Sequence, residues 1–343
     1  MDNNSKTPKV LVRCLTYNHE AYIEDALKGF VMQKTDFPFV VAVVDDASTD
    51  NNAQVIIDYL QGVCDADAIN SSTEEYGKVI DATPLNNSNC LLHVVLLNEN
   101  HFRKKSKRPY YAQYEGNVKY IAMCEGDDYW TDPYKLQKQV DYMESHPDCS
   151  CHAHNSITLN TQTRQIGLFN KKILDIQDYA LDTFLTNGWF TPTASLLYRR
   201  SDYQQLDDMQ GFMHGDYSLL INILLEPHTY LHYDNEIMSV YRDGGYASTH
   251  YKEIDLCNDF IALLKYYKEK SNHRCDEIFD KLIKREEISI EQATIYQQDC
   301  KKSRSIFVRV NHWLSSFFAN IANMYVQCIH VTKKVERASL SNL

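Results

Sequence analysis

The stretch YIAMCEGDDYWTDP, residues 120–133, joins a short apolar run to a cluster of carboxylates. Its first residues are typical of a buried strand, and Glu125, Asp127 and Asp128 follow within a few positions. Adjacent carboxylates repel one another and are costly to remove from water. The stretch therefore predicts either a turn that caps the following helix or a strand end that faces a divalent cation, because Mg²⁺ and Mn²⁺ prefer oxygen ligands.

Two earlier apolar runs also end on polar residues. The run KVLVRCLT ends at Thr16 and is followed by Tyr17, whereas FPFVVAVV is followed by Asp45 and Asp46. In open parallel sheets, ligands bind at the carboxyl ends of the strands, so we expect these ends and the acidic cluster to form one site. A tyrosine can stack on a flat base while a carboxylate accepts from its N–H groups. A nucleotide diphosphate on a metal would account for all three strand ends.

The first half of the chain alternates apolar runs with helical patterns, which indicates an α/β fold with a mostly parallel central sheet flanked by helices. Helices are expected after Asn18, after Ser48 or Thr49, and over residues 132–146. Residues 62–90 are polar and have little periodicity, so we predict an insertion or a long loop there.

The composition of the chain limits which binding partners and which cellular locations are expected. The chain has 343 residues, with 46 acidic against 35 basic side chains and a formal net charge of −11, which argues against nucleic acid as a partner. The start, MDNNSKTPKV, does not read as a secretory signal, and no run of about 18 uncharged apolar residues occurs. We therefore expect a cytoplasmic protein, and reduced cysteines in place of disulfides. The stretch CSCHAH, residues 149–154, is predicted to be ordinary strand and not a zinc site, because alternation separates its cysteines from its histidines.

Together the motifs resemble one enzyme family. The order VLVRCLTYNHE, VVDDASTDN and YIAMCEGDDYWTDPYKLQKQVD resembles the inverting GT-A glycosyltransferases of family two, roughly over residues 8–245. The resemblance implies a GT-A fold and transfer of a sugar from a nucleotide-diphosphate donor, with a UDP-sugar expected and Mn²⁺ or Mg²⁺ as cofactor. Polymerising relatives carry a Gln-x-x-Arg-Trp motif and transmembrane helices, which this sequence does not show. The resemblance therefore implies non-processive transfer of a single sugar.

The resemblance also assigns the nucleoside pocket. It implies that Thr16, Tyr17 and Glu20 line this pocket, and that Asp45 or Asp46 accepts a hydrogen bond from the base, which is commonly uracil.

The EGDDYW stretch stands where the family has its Asp-x-Asp motif. The resemblance implies that Asp127 binds the metal, and Glu125 is the second candidate ligand although its side chain is longer than the usual aspartate. The resemblance also implies that Arg242, in the segment MSVYRDGGYAST, contacts the diphosphate. Many members of the family have a histidine after the Tyr-Arg pair, where this sequence has Asp243, and His250 is a candidate substitute further downstream.

The catalytic base is implied by MHGDYSLLINIL, residues 213–224, where the match falls on Asp216. An acceptor hydroxyl must lose its proton as it attacks the sugar, and a carboxylate can take that proton. Trp189 and Phe190 are interpreted either as an aromatic platform for an acceptor sugar or as core residues. The cations in residues 103–108 either meet the diphosphate or an anionic acceptor, or lie on a solvated loop.

The expected domains are a catalytic domain over residues 1–250 and a helical extension over residues 251–343. Residues 305–331 of the extension carry an apolar helical stripe with basic residues at both ends. Such a helix can lie on the inner face of the cytoplasmic membrane, cover the catalytic domain, or form a homodimer.

The resemblance implies a saccharide or lipid-linked acceptor in cell-surface polysaccharide assembly. A non-catalytic saccharide-binding or assembly subunit is the alternative from another class. A sugar nucleotidyltransferase is a weaker one, because its glycine-rich phosphate loop is missing from the stretch around residues 13–19.

Overall fold

The computed structural model describes residues 7–102, 109–171, 175–203, 212–243 and 253–295. The chain divides into two compact units, Met1–Lys284 and Arg285–Leu343. In the second unit, the described residues 285–295 are helical. Across the part of the chain that the structure describes, no helix combines the length and the apolar character needed to cross a membrane.

The first unit is built on one mixed sheet with helices on both faces. Its strands are β1 (Val10–Thr16), β2 (Phe39–Asp45), β3 (Asn70–Glu74), β4 (Gly77–Ala82), β5 (Cys90–Leu97), β6 (Tyr120–Met123), β7 (Tyr129–Trp130), β8 (Cys149–Asn160), β9 (Ile166–Leu168), β10 (Asp178–Tyr179), β11 (Leu197–Arg199) and β12 (Tyr230–Asp243). Its helices are α1 (Ile23–Val31), α2 (Asn52–Val63), α3 (Ala112–Glu115), α4 (Lys135–Ser145), α5 (Leu181–Asn187), α6 (Gly215–Ile223) and α7 (Glu253–Lys270). Residues 276–284 are also helical.

The sheet runs in the order β10-β12-β8-β11-β6-β1-β2-β5-β4-β3, and β7 and β9 pair with β12 and β8 beside this path. Its centre is parallel, because β1 pairs in parallel with both β2 and β6, and β2 pairs in parallel with β5. All seven positions of β2 are buried, as expected for a strand covered on both faces. The predicted α/β fold with a mostly parallel centre is confirmed.

Two apolar layers fill the space between the sheet and its helices. Side chains of α1, α2 and α4 contribute to one layer, and those of α5, α6 and α7 contribute to the other. Helix α7 inserts Leu263, Leu264 and Tyr267 into the second layer, where the Tyr267 and Ser218 hydroxyls are 2.8 Å apart. The first compact unit extends to Lys284, and α7 supplies part of its core; the end of the catalytic domain at residue 250 stays a prediction.

Residues 62–90 do not form the long loop that was one of the two expectations for this stretch, the other being an insertion. Strands β3 and β4 form an antiparallel hairpin there, and β4 pairs with β5, so the hairpin extends the sheet edge. The sequence of β3, NSSTE, is exposed at every position. An edge strand of this kind is held by backbone hydrogen bonds to its neighbour and therefore lacks the apolar alternation that would predict it.

The helix starts differ from the expected caps. Tyr22 occupies the N-cap position of α1 and Asn51 that of α2. Asn18 instead lies in the left-handed region at φ 57°, and Ser48 bonds Asp45. Helix α4 lies within the expected range of residues 132–146.

The CSCHAH stretch lies in β8, so the strand prediction is confirmed. The eight cysteines in the described ranges are free thiols.

Candidate active site

Three strand ends meet at one edge of the sheet, as the sequence predicted. Thr16 and Asp45 are register partners at the ends of β1 and β2. The Asp46 N–H donates to the Thr16 carbonyl at 2.9 Å, and the Gly126 N–H donates to the Leu15 carbonyl at 2.9 Å. Backbone hydrogen bonds therefore fix the acidic turn after β6 against the ends of the first two strands.

Gly126 allows the acidic turn to approach β1 closely. A Cβ atom at this position would lie 2.4 Å from Thr16 Oγ1 and 3.1 Å from His19 Nδ1. Neither distance can accommodate a methyl group without movement. The glycine between Glu125 and Asp127 thus brings their carboxylates to the end of β1.

The loops after β1 and β2 exchange hydrogen bonds. The Asn51 N–H donates to Glu20 Oε2 at 2.8 Å, and the Glu20 N–H donates to Asp50 Oδ2 at 3.0 Å. The Thr49 N–H likewise donates to Asn18 Oδ1 at 2.8 Å. Glu20 is exposed but its carboxylate holds the neighbouring loop, so its role in lining a nucleoside pocket stays a prediction.

The two aspartates at the end of β2 differ in accessibility. Asp45 is 3% exposed and accepts hydrogen bonds from Ser48 and from Asn52 Nδ2, the latter at 2.7 Å. Asp46 is half-buried, and its carboxylate accepts from the His101 N–H at 2.6 Å. Tyr17 is 36% exposed on the neighbouring loop. A base at this edge would therefore reach Tyr17 and Asp46 more readily than Asp45.

The pKa values of two carboxyl groups in the acidic cluster are raised. Asp128 is 4% exposed and accepts from the Arg242 N–H at 2.8 Å, while burial and the charge of Asp127 hold its pKa well above the usual range. At Glu125, desolvation and then the charges on Asp127 and Asp216 raise the pKa above the usual range, although the residue is exposed in part. A cation bound here would relieve this repulsion.

Arg242 is 8% exposed and lies beside the acidic turn. Its guanidinium carbon is 4.9 Å from the ring centroid of Tyr22 and 4.6 Å from that of Tyr129. Its Nη1 donates to the Asp127 carbonyl at 2.7 Å, and its Nη2 pairs with Asp25. The side chain therefore anchors the turn to α1 and β12. Its implied role at a diphosphate stays a prediction, and that role would require these contacts to rearrange.

Asp216 lies in the first turn of α6, where the helix dipole stabilises a carboxylate. Each of its oxygens accepts one hydrogen bond: Oδ2 from Thr193 Oγ1 at 2.7 Å, and Oδ1 from the Tyr217 N–H at 3.0 Å. Its charge contributes to the raised pKa of Glu125, so the two carboxylates are close enough to interact. The fold thus brings Asp216 to the acidic cluster although 91 positions separate it from Glu125 (216 − 125).

Trp189 and Phe190 separate into two environments. Phe190 is 5% exposed, and its ring centroid lies 4.5 Å from that of Tyr179 in the core. Trp189 is 39% exposed, and its ring centroid lies 5.9 Å from that of Tyr217, the residue after Asp216. Of the pair, Trp189 is the one that presents a ring to solvent.

His19 is a site residue that the sequence reasoning did not assign. Its Nε2 lies 3.8 Å from Asp127 Oδ2. His19 lies three positions after the end of β1, in the stretch TYNHE. Its closeness to this strand end is the sequence feature that could have identified it as a site residue.

The donor set fits a magnesium or manganese ion. Within the described ranges, no three histidine, cysteine or acidic side chains converge to form a metal cage. These ions are commonly held by one or two carboxylates, with substrate phosphates and water as the remaining ligands. Asp127, with Glu125 nearby, supplies such oxygens. The cations at residues 103–108, His250 and the stripe at residues 305–331 lie outside the described residues.

Sequence comparison identifies the family to which this site belongs. A model described as glycosyl transferase family 2 matches residues 14–207. Uncharacterized proteins of Mycobacterium tuberculosis (Rv1520) and Mycobacterium bovis (Mb1547) are each 31% identical over 186 residues, which is 54% of this chain and 45% of the relative. The match thus spans less than half the length of these curated relatives.

Structural comparison gives the same fold. The crystal structure of Staphylococcus aureus TarS, residues 1–349, in complex with UDP-GlcNAc matches 80% of this chain and 70% of that one, at 17% identity and a TM-score of 0.54. The expected GT-A fold is confirmed. Because the family model covers more than half of the sequence, the chain belongs to glycosyl transferase family 2.

Proposed function

We propose that this chain transfers a single sugar from a nucleotide-diphosphate donor to a saccharide or lipid-linked acceptor, with inversion at the sugar. The observation that supports this most is the convergence of the three strand ends with Asp216, because donor-binding and base-like groups then share one site. Tyr17 and Asp46 are the proposed contacts of the base, and a UDP-sugar is the first donor to test because TarS binds UDP-GlcNAc on this fold.

The proposed cation is Mn²⁺ or Mg²⁺, held by Asp127 with Glu125 as the second carboxylate. When bound, it would supply positive charge that stabilises the departing diphosphate. The protein's own part is to hold these carboxylates in place through Gly126 and Arg242.

In the proposed transfer, Asp216 takes the proton of the acceptor hydroxyl as that oxygen bonds the anomeric carbon. The bond from this carbon to the diphosphate oxygen breaks, and the nucleoside diphosphate leaves with the electron pair. Hydrogen bonds from Thr193 and the Tyr217 N–H fix the orientation of the carboxylate.

We further propose that the acceptor belongs to cell-surface polysaccharide assembly, on the cytoplasmic side of the membrane. The sequence feature that supports a membrane surface is the basic-ended apolar stripe at residues 305–331. Co-sedimentation with anionic vesicles tests this part separately from the chemistry.

The decisive experiment compares Asp216→Asn with Asp182→Asn. Asp182 is also a first-turn helix acid, but it is exposed on α5. Asp216→Asn should lower the transfer or hydrolysis rate of the accepted UDP-sugar by roughly 10²–10⁴-fold, while UDP binding in calorimetry stays unchanged. Asp182→Asn should retain both. Equal rates in Asp216→Asn and the wild type would remove Asp216 as the base, and donor binding without turnover on any acceptor would favour the non-catalytic alternative.

A further inference from the structure

A chain of hydrogen bonds runs from the core to His19. The Asp45 carboxylate accepts from Asn52 Nδ2 at 2.7 Å, and Asn52 Oδ1 accepts from Thr16 Oγ1 at 3.3 Å. Thr16 Oγ1 in turn lies 3.3 Å from His19 Nδ1. Asp45, Asn52 and Thr16 are at most 3% exposed, so solvent does not compete strongly for these groups.

This chain determines which nitrogen of His19 carries the proton. Asp45 accepts, so the Asn52 amide nitrogen must face it and the Asn52 oxygen must face Thr16. The single hydroxyl proton of Thr16 is then donated to that oxygen. Thr16 Oγ1 can only accept from His19, which places the proton of the neutral imidazole on Nδ1 and leaves the lone pair on Nε2.

The Nε2 lone pair faces a carboxylate. Nε2 and Asp127 Oδ2 are 3.8 Å apart, and the two side chains are 22% and 20% exposed. In the neutral imidazole, the Nε2 lone pair and the carboxylate repel at this separation, and either a second proton on Nε2 or a metal cation between the two groups removes that repulsion. Gly126 brings the groups together, because a side chain there would collide with Thr16 and the imidazole.

We propose that His19 Nε2 is a ligand of the divalent cation, which it shares with Asp127. The buried Thr16–Asn52–Asp45 chain orients the imidazole, as hydrogen-bonded partners commonly do for metal-binding histidines. The inference rests on the metal-dependent donor binding proposed above. It adds a nitrogen ligand from the loop after β1 to the oxygen ligands of the acidic turn. An imidazole ligand favours Mn²⁺ over the harder Mg²⁺.

The test is pulsed electron paramagnetic resonance of Mn²⁺ bound to the full chain with UDP. In the wild type, we expect coupling to ¹⁴N from the imidazole and to ³¹P from the diphosphate. His19→Gln should lose the ¹⁴N coupling and weaken Mn²⁺ binding roughly 10–100-fold. Thr16→Val should weaken both the ¹⁴N coupling and Mn²⁺ binding. Thr16→Ser, which retains the hydroxyl, should keep both at the wild-type level.

His273→Gln is the matched control, because that side chain is 87% exposed and pairs with Asp276. It should retain both couplings. Thermal unfolding without metal establishes that each variant is folded before its Mn²⁺ affinity is compared.

Two failures are distinguishable. Mn²⁺ that binds with ³¹P coupling but without ¹⁴N coupling would overturn the role of His19 and leave the proposed donor site intact. Failure of the folded wild type to bind Mn²⁺ with UDP or GDP would overturn both this inference and the metal part of the proposed function.

Discussion

The acidic turn has no room for a side chain at Gly126. In Gly126→Ala, the new methyl group would overlap Thr16, so the turn must move away from β1. We expect a loss of about 1–3 kcal/mol in the free energy of unfolding, together with weaker UDP binding. Urea unfolding and calorimetry measure these quantities.

Gly62→Ala provides the control, because a Cβ there meets no atom within 4 Å and the residue lies in α2. That variant should be stabilised by about 0.5–1 kcal/mol, since alanine favours a helix more than glycine does. Equal stability of the two variants would contradict the close approach.

Lys135 is a fully buried cation whose charge the fold disfavours. Its Nζ donates to Gln139 Oε1 at 2.8 Å and lies 4.2 Å from the Trp130 ring centroid, and burial lowers its pKa to about 7. The unfolded chain holds this proton up to the usual lysine pKa, so between about pH 7 and that value the unfolded state binds more protons. This lysine therefore makes stability rise with pH across that window, by at most about 1.4 kcal/mol per pH unit.

Lys135→Met should abolish this contribution. Urea unfolding at pH 7 to 10 should show wild-type stability rising relative to Lys135→Met, whereas Lys281→Met, which removes an exposed lysine, should run parallel to the wild type. Parallel curves for all three proteins would show that Lys135 keeps its charge in the folded state.

At the scale of elements, the loop after β2 depends on Asp50. One of its oxygens accepts from the Glu20 N–H and the other from the Asn52 N–H, each at 3.0 Å. Asp50→Ala should cost about 1 kcal/mol of stability, as loss of a helix cap does, and should weaken UDP binding because both loops gain freedom. Asp58→Ala, in the exposed face of α2, should change neither in the same denaturation and calorimetry assays.

The link between the segment at Thr193 and helix α6 gives a further prediction. Thr193→Val keeps the side-chain shape but removes the donor to Asp216 Oδ2. We expect kcat to fall roughly 10–150-fold, since one hydrogen bond to a charged group contributes roughly 1.5–3 kcal/mol, while UDP affinity stays unchanged. Thr183→Val serves as the control, because the Thr183 hydroxyl donates to the Ala180 carbonyl on the exposed side of α5. A lower UDP affinity with unchanged kcat would contradict the positioning role.

At the scale of the whole molecule, the first unit needs α7. A chain that ends at residue 250 lacks Leu263, Leu264 and Tyr267 and leaves their apolar layer open. We expect it to lose cooperative thermal unfolding by circular dichroism, because large buried side chains contribute about 2–5 kcal/mol each. A chain that ends at residue 284 should retain the transition. A cooperative transition in the shorter chain would show that α7 is dispensable.

The parts of this fold that the sequence predicts are those with local signals. Continuous apolar runs mark the central strands, and the polar residues that follow them identify the site edge, because parallel strands all end there. The β3–β4 hairpin has no such signal, since its outer strand is wholly polar and exposed. The placement of Arg242 between two tyrosines and the facing of His19 and Asp127 arise from tertiary packing, which a linear pattern does not encode.

The anchoring of Arg242 also has a consequence for the order in which a ribosome makes this chain. Arg242 emerges 217 positions after Asp25 and 115 after Asp127, the two residues that its guanidinium joins. The nascent chain therefore carries α1 and the acidic turn long before the residue that joins them has been synthesised. Contacts of such long range form late, so the acidic turn gains its anchor to α1 only when most of the first unit has been synthesised.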